Sequence, residues 1–357
     1  MTVRLADLTT LRLGGPAAAY VRAETEQQLV EAVRDADARG EPVLVLGGGS
    51  NLVVADAGFD GTVVHVATRG IAEREDGTVE VQAGEPWDGL VAHTVTRRLA
   101  GMEALSGIPG ATGATPIQNV GAYGQEVADT IASVRVLDRP TGEVRTLTPD
   151  DCGFGYRTSV FKRTPDRWTV LAVTFALTPS DQSAPVKYAE LARTLGVQPG
   201  DTAPLQAVRD AVLELRRGKG MVVDPDDPDT RSAGSFFTNP ILDPADFDAL
   251  TERVHAELGP EIRPPAWPEP DGRVKTSAAW LIERAGFGKG HGDPATVAIS
   301  SRHTLALTNR GQGTTFQLVA LAREVADGVE RRFGVALHPE PVFVGHGWIQ
   351  AGDMSSR

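Results

Sequence analysis

Residues 42–56, PVLVLGGGSNLVVAD, carry two apolar stretches separated by three consecutive glycines. Short apolar runs bounded by glycine predict two strands joined by a turn. A hairpin requires only two turn residues, so the longer turn GGGSN at 47–51 favours a loop whose backbone N–H groups approach a ligand phosphate. A plain hairpin turn is the alternative interpretation of the same residues.

The segments on either side of this turn predict a mixed α+β fold. Around it the order is strand, turn, strand, strand, strand, helix, which differs from the regular alternation of doubly wound proteins. Periodicity predicts helices at 24–39, 86–99, about 188–195, 203–217, 244–258, 276–285 and 314–333. It predicts strands at 62–67, 78–83, 131–138, 143–147, 168–177, near 304–308 and near 341–345. Because neither GxGxxG nor GxxxxGKS/T occurs, a Rossmann or P-loop nucleotide site is not expected.

A second glycine-rich stretch follows at 101–126, GMEALSGIPGATGATPIQNVGAYGQE. It has too much Gly, Pro and Ala for a regular element and too few charges for a solvated linker. We expect a buried loop that lies against a flat ring system and donates main-chain N–H groups to it. A purely structural Ω-loop is the alternative.

Three polar side chains have both a chemical and a structural interpretation. Arg157 lies among aromatic residues in FGYRTSVFK (154–162), where a partly desolvated cation requires an anion: a substrate carboxylate or a structural ion-pair partner. Ser235 in SAGSFFTNP (232–240) is not part of a GxSxG elbow, and a turn serine is its simplest interpretation. Glu340 lies between two prolines before a predicted strand, which either presents the acid rigidly or leaves it on the surface.

Composition excludes several classes of function. At about 150 residues per domain, 357 residues predict two or three domains. The net charge of −12 disfavours nucleic acid and anionic membranes as partners. No apolar run approaches the roughly 20 residues of a membrane span, and no secretion signal is visible, so we expect a cytoplasmic protein. With one cysteine, Cys152, and no HExxH among seven histidines, we expect no metal site.

Seven motifs in order make the chain similar to the UDP-N-acetylenolpyruvoylglucosamine reductases, flavoenzymes of peptidoglycan precursor synthesis. The resemblance is carried by TTLRLGGPA (9–17), GGGSNLVV (47–54), SGIPGATGATPIQNVGAYGQE (106–126), GYRTSVFK (155–162), LRRGKGMVVDPDDPDTRSAGSFFTNP (215–240), KTSAAWLIERAGFGKG (275–290) and LHPEPVFVG (337–345). These motifs run through nearly the whole chain, and seven together are far more specific than any one.

The resemblance implies a fold and a division into domains. It implies an FAD-binding fold of the p-cresol methylhydroxylase and vanillyl-alcohol oxidase type, with two α+β subdomains, followed by a C-terminal α+β domain that closes over the substrate. We place the FAD-binding region at 1–217, with its subdomains meeting near 67–70, and the substrate-binding domain at 218–340. Residues 341–357 are expected to form a strand and tail that return to the FAD-binding region.

The same resemblance implies the cofactors and the reaction. NADPH reduces noncovalent FAD, and the enolpyruvyl ether of UDP-N-acetylglucosamine is then reduced to UDP-N-acetylmuramate. The partner is thus a small UDP-sugar, and we expect the protein to act as a monomer. An FAD oxidase of the same fold and a flavin- or nucleotide-sugar-binding protein without turnover are the alternatives.

Site residues follow by matching motifs position by position. The resemblance implies catalytic roles for Arg157, Ser235 and Glu340. It implies FAD binding by Gly47, Gly48, Gly49, Ser50, Asn51, Leu52, Ile108, Pro109, Gly110, Gly113, Ala114, Thr115, Ile117, Gln118, Asn119 and Gly121. It implies substrate binding by Tyr123, Tyr188, Lys219, Asn239 and Lys275, where Tyr188 matches a loop of the longer, type I branch. Thr238, Ala114-Thr115 and His338 depart from residues common in the family.

Overall fold

The computed structural model describes residues 2–348. The first layer is a three-stranded parallel sheet in the order β1-β4-β2 with one helix against it. This region contains β1 (Ala17–Ala23), α1 (Glu26–Ala38), β2 (Val43–Leu46) and β4 (Phe59–Val66), together with β3 (Leu52–Val54), which lies outside this sheet. Helix α1 begins where Thr25 and Gln28 form a capping box. Its apolar face contributes Leu29 and Val33, both fully buried, to a large core shared with the next sheet.

The second layer is a five-stranded antiparallel sheet in the order β11-β10-β12-β6-β5. This region contains β5 (Ile71–Glu73), β6 (Thr78–Gln82), α2 (Trp87–Thr96), β7 (Leu99–Ala100), β8 (Gly121–Ala122), β9 (Gln125–Glu126), β10 (Ile131–Asp138), β11 (Glu143–Leu147), α3 (Pro149–Cys152), α4 (Val160–Arg163), β12 (Trp168–Ala176) and β13 (Thr178–Pro179). Alternating burial along β6 and the nearly continuous burial of β12 place β12 at the centre of the sheet.

Two helices follow this sheet, α5 (Ala189–Leu195) and α6 (Leu205–Gly218). They pack on each other through a small apolar cluster that includes Leu191, Val208 and Val212. Helix α5 ends at Gly196, whose left-handed backbone forms the cap. The pair brings the C-terminal end of α6 next to the loop that begins at residue 107, because Gly107 lies against Leu213.

The C-terminal part has its own apolar core. Its elements are β14 (Ile241–Leu242), α7 (Pro244–Leu258), β15 (Trp267–Pro268), β16 (Val274–Lys275), α8 (Ala278–Arg284), β17 (Val297–Ile299), β18 (Leu307–Asn309), α9 (Thr315–Phe333) and β19 (Val342–Val344). Helix α9 crosses the middle of this core and buries, among others, Leu318, Val325 and Phe333. Two leucines of the N-terminal segment, Leu11 and Leu13, are buried in the same core and connect it to the first layer.

The last strand joins the two ends of the molecule. Strand β19 pairs in parallel with β3, with Val342 opposite Leu52. Nearby, the Asp56 carboxylate accepts the N–H groups of Thr315 and Phe316 at the start of α9. Glu340 is thereby placed beside the GGGSN turn. The predicted tail is described only as far as residue 348, so 349–357 lie outside the described residues.

Most predicted elements are present with shifted ends, but the strands β1, β5 and β17, the two-residue strands and the short helices α3 and α4 were missed. Helices predicted at 203–217 and 244–258 occupy Leu205–Gly218 and Pro244–Leu258. Strand β1 was missed because its four alanines have little intrinsic preference for strands, and pairing with β4 decides it instead. The strand predicted near 304–308 lies at Leu307–Asn309, paired with the missed strand β17 (Val297–Ile299).

Candidate active site

A cleft lies between the two glycine-rich stretches and the C-terminal part. It encloses about 920 Å³ of empty space, part of it open to solvent. Twelve predicted site residues line it: Ser50, Asn51, Ile108, Pro109, Gly110, Ala114, Thr115, Gln118, Gly121, Arg157, Ser235 and Glu340. They come from the turn after β2, the loop before β8, the turn before α4 and the segments that precede β14 and β19. Only the tertiary fold brings these segments together.

The two glycine stretches contact each other where side chains would not fit. A Cβ on Gly48 would lie 2.7 Å from the Gly110 Cα, closer than real Cβ atoms approach backbone. The Ser50 hydroxyl donates to the Pro109 carbonyl at 3.0 Å, which ties the turn to the loop. The backbone N–H groups of 47–51 donate to no backbone carbonyl in the described part of the chain, so they remain available to an anionic ligand.

The 107–121 loop is more ordered than its composition predicts. A 3-10 turn at Thr112–Ala114 and hydrogen bonds from Gly113 to Ala83 and from Val120 to Thr115 stabilise it internally. Gln118 donates through Nε2 to the Glu340 carbonyl at 3.4 Å, while its Oε1 is buried without a partner. A buried acceptor without a donor is costly, so this atom favours a ligand with an N–H group.

Arg157 is positioned by a strained turn. Gly155 and Thr158 exchange backbone hydrogen bonds, and Arg157 between them has φ +52°, a left-handed conformation that costs a non-glycine residue about 1–2 kcal/mol. Its guanidinium donates to the Gly121 carbonyl at 2.7 Å, and Lys162 Nζ donates to the Arg157 carbonyl at 3.0 Å. Such strain is often found at functional sites.

Glu340 faces Arg157 inside the cleft. Arg157 Nε lies 3.6 Å from Glu340 Oε1, with both side chains about three-quarters buried. Burial raises the pKa of the Glu340 carboxyl, although the positive charges of Arg157 and Lys162 oppose the shift. Its backbone N–H donates to the Phe236 carbonyl at 2.8 Å, which places Glu340 next to the Ser235 segment.

Ser235 presents a free hydroxyl to the same cleft. Its neighbour Gly234 has φ +74°, and Phe236 N–H donates to the Leu305 carbonyl at 2.7 Å, so the backbone on both sides is constrained. The Ser235 side chain is half-buried, and its hydroxyl has no hydrogen-bond partner among residues 2–348. This hydroxyl can therefore donate to a ligand.

Arg216 was missed as a cleft residue, together with Ala111, Val120, Met221, Ala233 and Gly234. Its guanidinium is buried and donates to the Met221 carbonyl, yet its Nε has no partner and no carboxylate of the described residues pairs with it. Burial lowers the pKa of Arg216, since desolvation disfavours the charged form. The adjacent arginines 216 and 217 were the only indication in the sequence of a cation at this place. Packing alone shows that Arg216 is the one that points into the protein.

Two groups of predicted substrate-binding residues lie beside the cleft. The Tyr123 ring packs edge to face on the Tyr188 ring, and Lys219 Nζ lies 5.7 Å from the Tyr123 ring centroid. Asn239 and Lys275 lie together in the C-terminal part, where Asn239 Oδ1 accepts the Ala278 N–H and Lys275 Nζ pairs with Glu269 at 2.7 Å. Lys275 Nζ also lies 5.1 Å above the Tyr156 ring, next to Arg157.

Several predicted FAD-binding residues lie outside the cleft wall. Gly47 and Gly48 line a neighbouring depression with Thr9, Thr10 and Arg231. The remaining members of this group are Gly49, Leu52, Gly113, Ile117 and Asn119. Leu52 is paired in strand β3, and Gly113 packs on Ala83. Asn119 uses its side chain within the protein, donating to Glu126 and accepting from Ala128 N–H, so its role here is to stabilise the loop.

Comparisons with known proteins agree with this geometry. An FAD-binding domain family matches residues 17–148, and the UDP-N-acetylenolpyruvoylglucosamine reductase C-terminal domain family matches 226–344. The UDP-N-acetylenolpyruvoylglucosamine reductase of Thermobifida fusca is 60% identical over 347 residues, covering 96% of this chain and 97% of that protein. The chain belongs to the UDP-N-acetylenolpyruvoylglucosamine reductase family. It is therefore an FAD-dependent oxidoreductase with the two-part α+β fold that the motifs implied.

Further members support the assignment along the full length. The reductase of Saccharopolyspora erythraea is 60% identical over 345 residues, covering 95% of this chain and 94% of that protein. A crystal structure of the Thermus caldophilus reductase has a TM-score of 0.65 and 25% identity, covering 96% of this chain and 98% of that chain. The family's cofactor fits the cleft, because free N–H groups at 47–51, the unpaired Gln118 Oε1 and the buried Arg216 can bind polar and anionic parts of FAD.

Other site types receive no support from the described residues. Among 2–348, no group of three or more His, Cys, Asp and Glu side chains could ligate a metal. In the same range, no helix is both long enough and apolar enough to cross a bilayer. Cys152 is buried, and burial raises the pKa of its thiol to about 12, which leaves it unreactive.

Proposed function

We propose that this protein reduces the enolpyruvyl ether of UDP-N-acetylglucosamine to UDP-N-acetylmuramate with NADPH as the reductant. Membership of the reductase family supports the reaction. The observation that carries the proposal is the convergence of Arg157, Ser235 and Glu340, from segments far apart in sequence, on one cleft between the glycine stretches. Residues 1–217 would hold FAD, and 218–340 would hold the sugar nucleotide.

FAD, when bound and first reduced by NADPH, would supply the hydride that is added to the terminal carbon of the vinyl group. Charge then develops on the carbon next to the substrate carboxylate. Arg157 is positioned to bind that carboxylate, because its guanidinium is fixed by the Gly121 carbonyl and faces the cleft. A preorganised cation in a partly desolvated site stabilises developing negative charge strongly.

Glu340 has the properties of a hydrogen-bond donor to the same carboxylate. Its raised pKa favours the protonated form, and a protonated acid avoids the repulsion that two carboxylates would cause. Together Arg157 and Glu340 would favour the enediolate-like form of the substrate. Arg216 adds a second buried positive charge to the cleft wall.

Ser235 is the proposed proton donor. Its hydroxyl lines the cleft without a partner, and a substrate carbanion is a strong enough base to take a proton from it. Tyr123, Tyr188, Lys219, Asn239 and Lys275 are proposed to bind the diphosphate and nucleotide, which are remote from the vinyl carbon. The protein is proposed to act as a monomer.

The proposed cellular setting follows from the reaction. UDP-N-acetylmuramate is a precursor of peptidoglycan, so we place the enzyme in the cytoplasm, where nucleotide-sugar precursors are made. Since peptidoglycan supports cell shape and new wall is needed at division, loss of the enzyme should impair both.

Replacement of Ser235 tests the proposal. Ser235→Ala should bind FAD and be reduced by NADPH normally, because neither step needs this proton. Reoxidation by the sugar nucleotide should slow by about 10²–10⁴, the range typical of a lost general acid. Stopped-flow absorbance of the flavin measures the two half-reactions separately.

Ser235→Cys is the matched variant, and it should retain more reoxidation activity than alanine because a thiol still donates a proton. If Ser235 is only a turn residue, the alanine variant should lose stability and flavin, and both half-reactions should slow together. Reoxidation of the alanine variant at a rate near that of the wild type would remove Ser235 from the mechanism.

A further inference from the structure

A carboxylate pairs with one of the residues proposed to bind the diphosphate. The rings of Tyr123 and Tyr188 meet edge to face with centroids 5.5 Å apart, and Lys219 Nζ lies 5.7 Å from the Tyr123 ring. Glu190 joins this cluster, with its Oε2 2.7 Å from Lys219 Nζ. Tyr188 and Lys219 therefore both lie near the Tyr123 ring, and the cation is already paired.

The ion pair links two helices through residues at their ends. Glu190 is in the first turn of α5, two residues after its N-cap Tyr188, and Lys219 is the C-cap of α6. The side chains are 30% and 31% exposed, so the pair is neither buried nor fully screened by solvent. The same helical turn thus carries the proposed capture tyrosine and the anion that neutralises Lys219.

The hairpin turn below this pair is rigid. Tyr123 and Gly124 form a two-residue turn between β8 and β9, with φ +50° and +84°. A Cβ on Gly124 would lie 3.1 Å from the Lys187 Cβ, so the turn packs closely on the segment that precedes α5. The turn therefore holds the Tyr123 ring in place, and this ring packs against Tyr188 and lies near the Lys219 ammonium group.

Charges around Lys219 show what the pair does in the free enzyme. Burial lowers the pKa of Lys219, but its hydrogen bond to Glu190 and the negative charges nearby raise it overall. Arg216, one turn earlier in α6, has no ion pair among the described residues. Without Glu190, Lys219 would have no ion-pair partner among the described residues.

We propose that Glu190 is an anionic placeholder for the ligand diphosphate. It keeps Lys219 in position on Tyr123 in the free enzyme, and a phosphate group must displace it from the ammonium group to bind. The inference rests on the proposed function, in which Lys219 binds the diphosphate of NADPH and of the sugar nucleotide. Because two diphosphate ligands must use one cleft in turn, a placeholder that weakens both favours their exchange.

Kinetics of the FAD-loaded Glu190→Gln enzyme provide the first test. The amide cannot compete as an anion, so KM for NADPH and KM for the sugar nucleotide should both fall about two- to fivefold, the size expected for a partly exposed ion pair. The value of kcat should change less than either KM. Inorganic pyrophosphate, as a competitive inhibitor, should also bind about two- to fivefold more tightly. Glu190→Asp keeps the charge and should lie closer to the wild type.

Salt dependence separates a placeholder from a structural contact. In the wild type, pyrophosphate exchanges one ion pair for another, so its Ki should rise only weakly with NaCl. In Glu190→Gln the pair forms anew, so Ki should rise more steeply. Loss of a merely structural contact would lower the melting temperature without changing this slope. Glu257→Gln is the matched control, because it removes an ion pair between Glu257 of α7 and Arg332 of α9. It should leave the Ki of pyrophosphate unchanged.

Two results distinguish this inference from the function on which it rests. If Lys219→Met leaves the pyrophosphate Ki unchanged, Lys219 does not bind diphosphate, and the proposed capture role fails together with the placeholder. If Lys219→Met raises Ki but Glu190→Gln leaves it unchanged or raises it, the capture role stands and the placeholder is overturned.

Discussion

At the scale of single residues, the cleft combines a fixed cation with an acid whose charge is costly. Arg157 has two guanidinium contacts with backbone carbonyls and a left-handed backbone. Glu340 is largely buried, and desolvation is the largest influence on its pKa. Burying an ionisable acid lowers the stability of the folded protein at neutral pH, but it also shifts the pKa of the acid. Active sites commonly contain groups with shifted pKa values.

Replacement of Glu340 by glutamine should change how stability depends on pH. A carboxyl whose folded pKa lies above the ordinary 4.5 favours folding when protonated, and that contribution is lost as pH rises through the folded pKa. The melting temperature of Glu340→Gln minus that of the wild type should therefore increase by a few degrees between pH 4.5 and pH 8. Differential scanning of the FAD-loaded enzymes measures it, with Glu257→Gln as an exposed control. A difference that stays constant with pH would show that Glu340 titrates normally.

At the scale of elements, the contact between the GGGSN turn and the 107–121 loop sets the shape of the cofactor wall. Gly48 lies so close to Gly110 that only a hydrogen atom fits between them. The loop itself is already hydrogen-bonded through Gly113 and Val120, so it has little freedom to move away. Position 48 requires glycine because of this close packing. It does not require glycine for its backbone conformation, since Gly48 does not have a positive φ.

Gly48→Ala should therefore weaken FAD binding. The added methyl group forces the two stretches apart, and overpacking of this kind typically costs about 1–3 kcal/mol, or roughly 5- to 150-fold in affinity. Fluorescence titration of the apoprotein with FAD measures the change. Gly218→Ala is the control, because nothing lies within 4 Å of its Cβ position at the end of α6. Equal FAD affinity in the two variants would contradict the prediction, because it would show that the backbone near Gly110 accommodates the added methyl group without loss of binding.

At the scale of the whole molecule, residues from both ends of the chain build one cleft. Strand β19 pairs with β3, and the backbone of Glu340 accepts hydrogen bonds from Asn51 and Gln118 while it donates to Phe236. The FAD-binding and C-terminal parts are therefore joined at the cleft itself.

The proposed reaction predicts sequential use of the cleft by the two substrates. NADPH and the sugar nucleotide should follow ping-pong kinetics, with parallel lines in double-reciprocal plots, because both must present their reacting carbon at the flavin. Initial rates over a grid of both concentrations test this. Intersecting lines would show that both ligands bind at once and would contradict the prediction.

The amino-acid sequence by itself determined the features that depend on local chemistry. The glycine run at 47–51 predicted a ligand-binding turn because only glycine permits backbone to approach so closely, and amphipathic periodicity predicted helices such as α6 and α9. The order of the motifs further implied the family, the cofactor and Arg157, Ser235 and Glu340 as catalytic candidates. All of these depend on neighbours within a few residues or on direct comparison of motifs.

Only the tertiary structure decided which of these residues meet. It placed Ser235 and Glu340 on one cleft wall, turned Arg216 inward, kept Asn119 for the loop's own hydrogen bonds and paired Glu190 with Lys219. Strand β1 likewise became a strand through its partner β4. These outcomes depend on contacts between segments far apart in sequence, such as Asn51 with Glu340, which are 289 residues apart. Local propensity carries no information about such pairs, because packing and burial act only after the chain has folded.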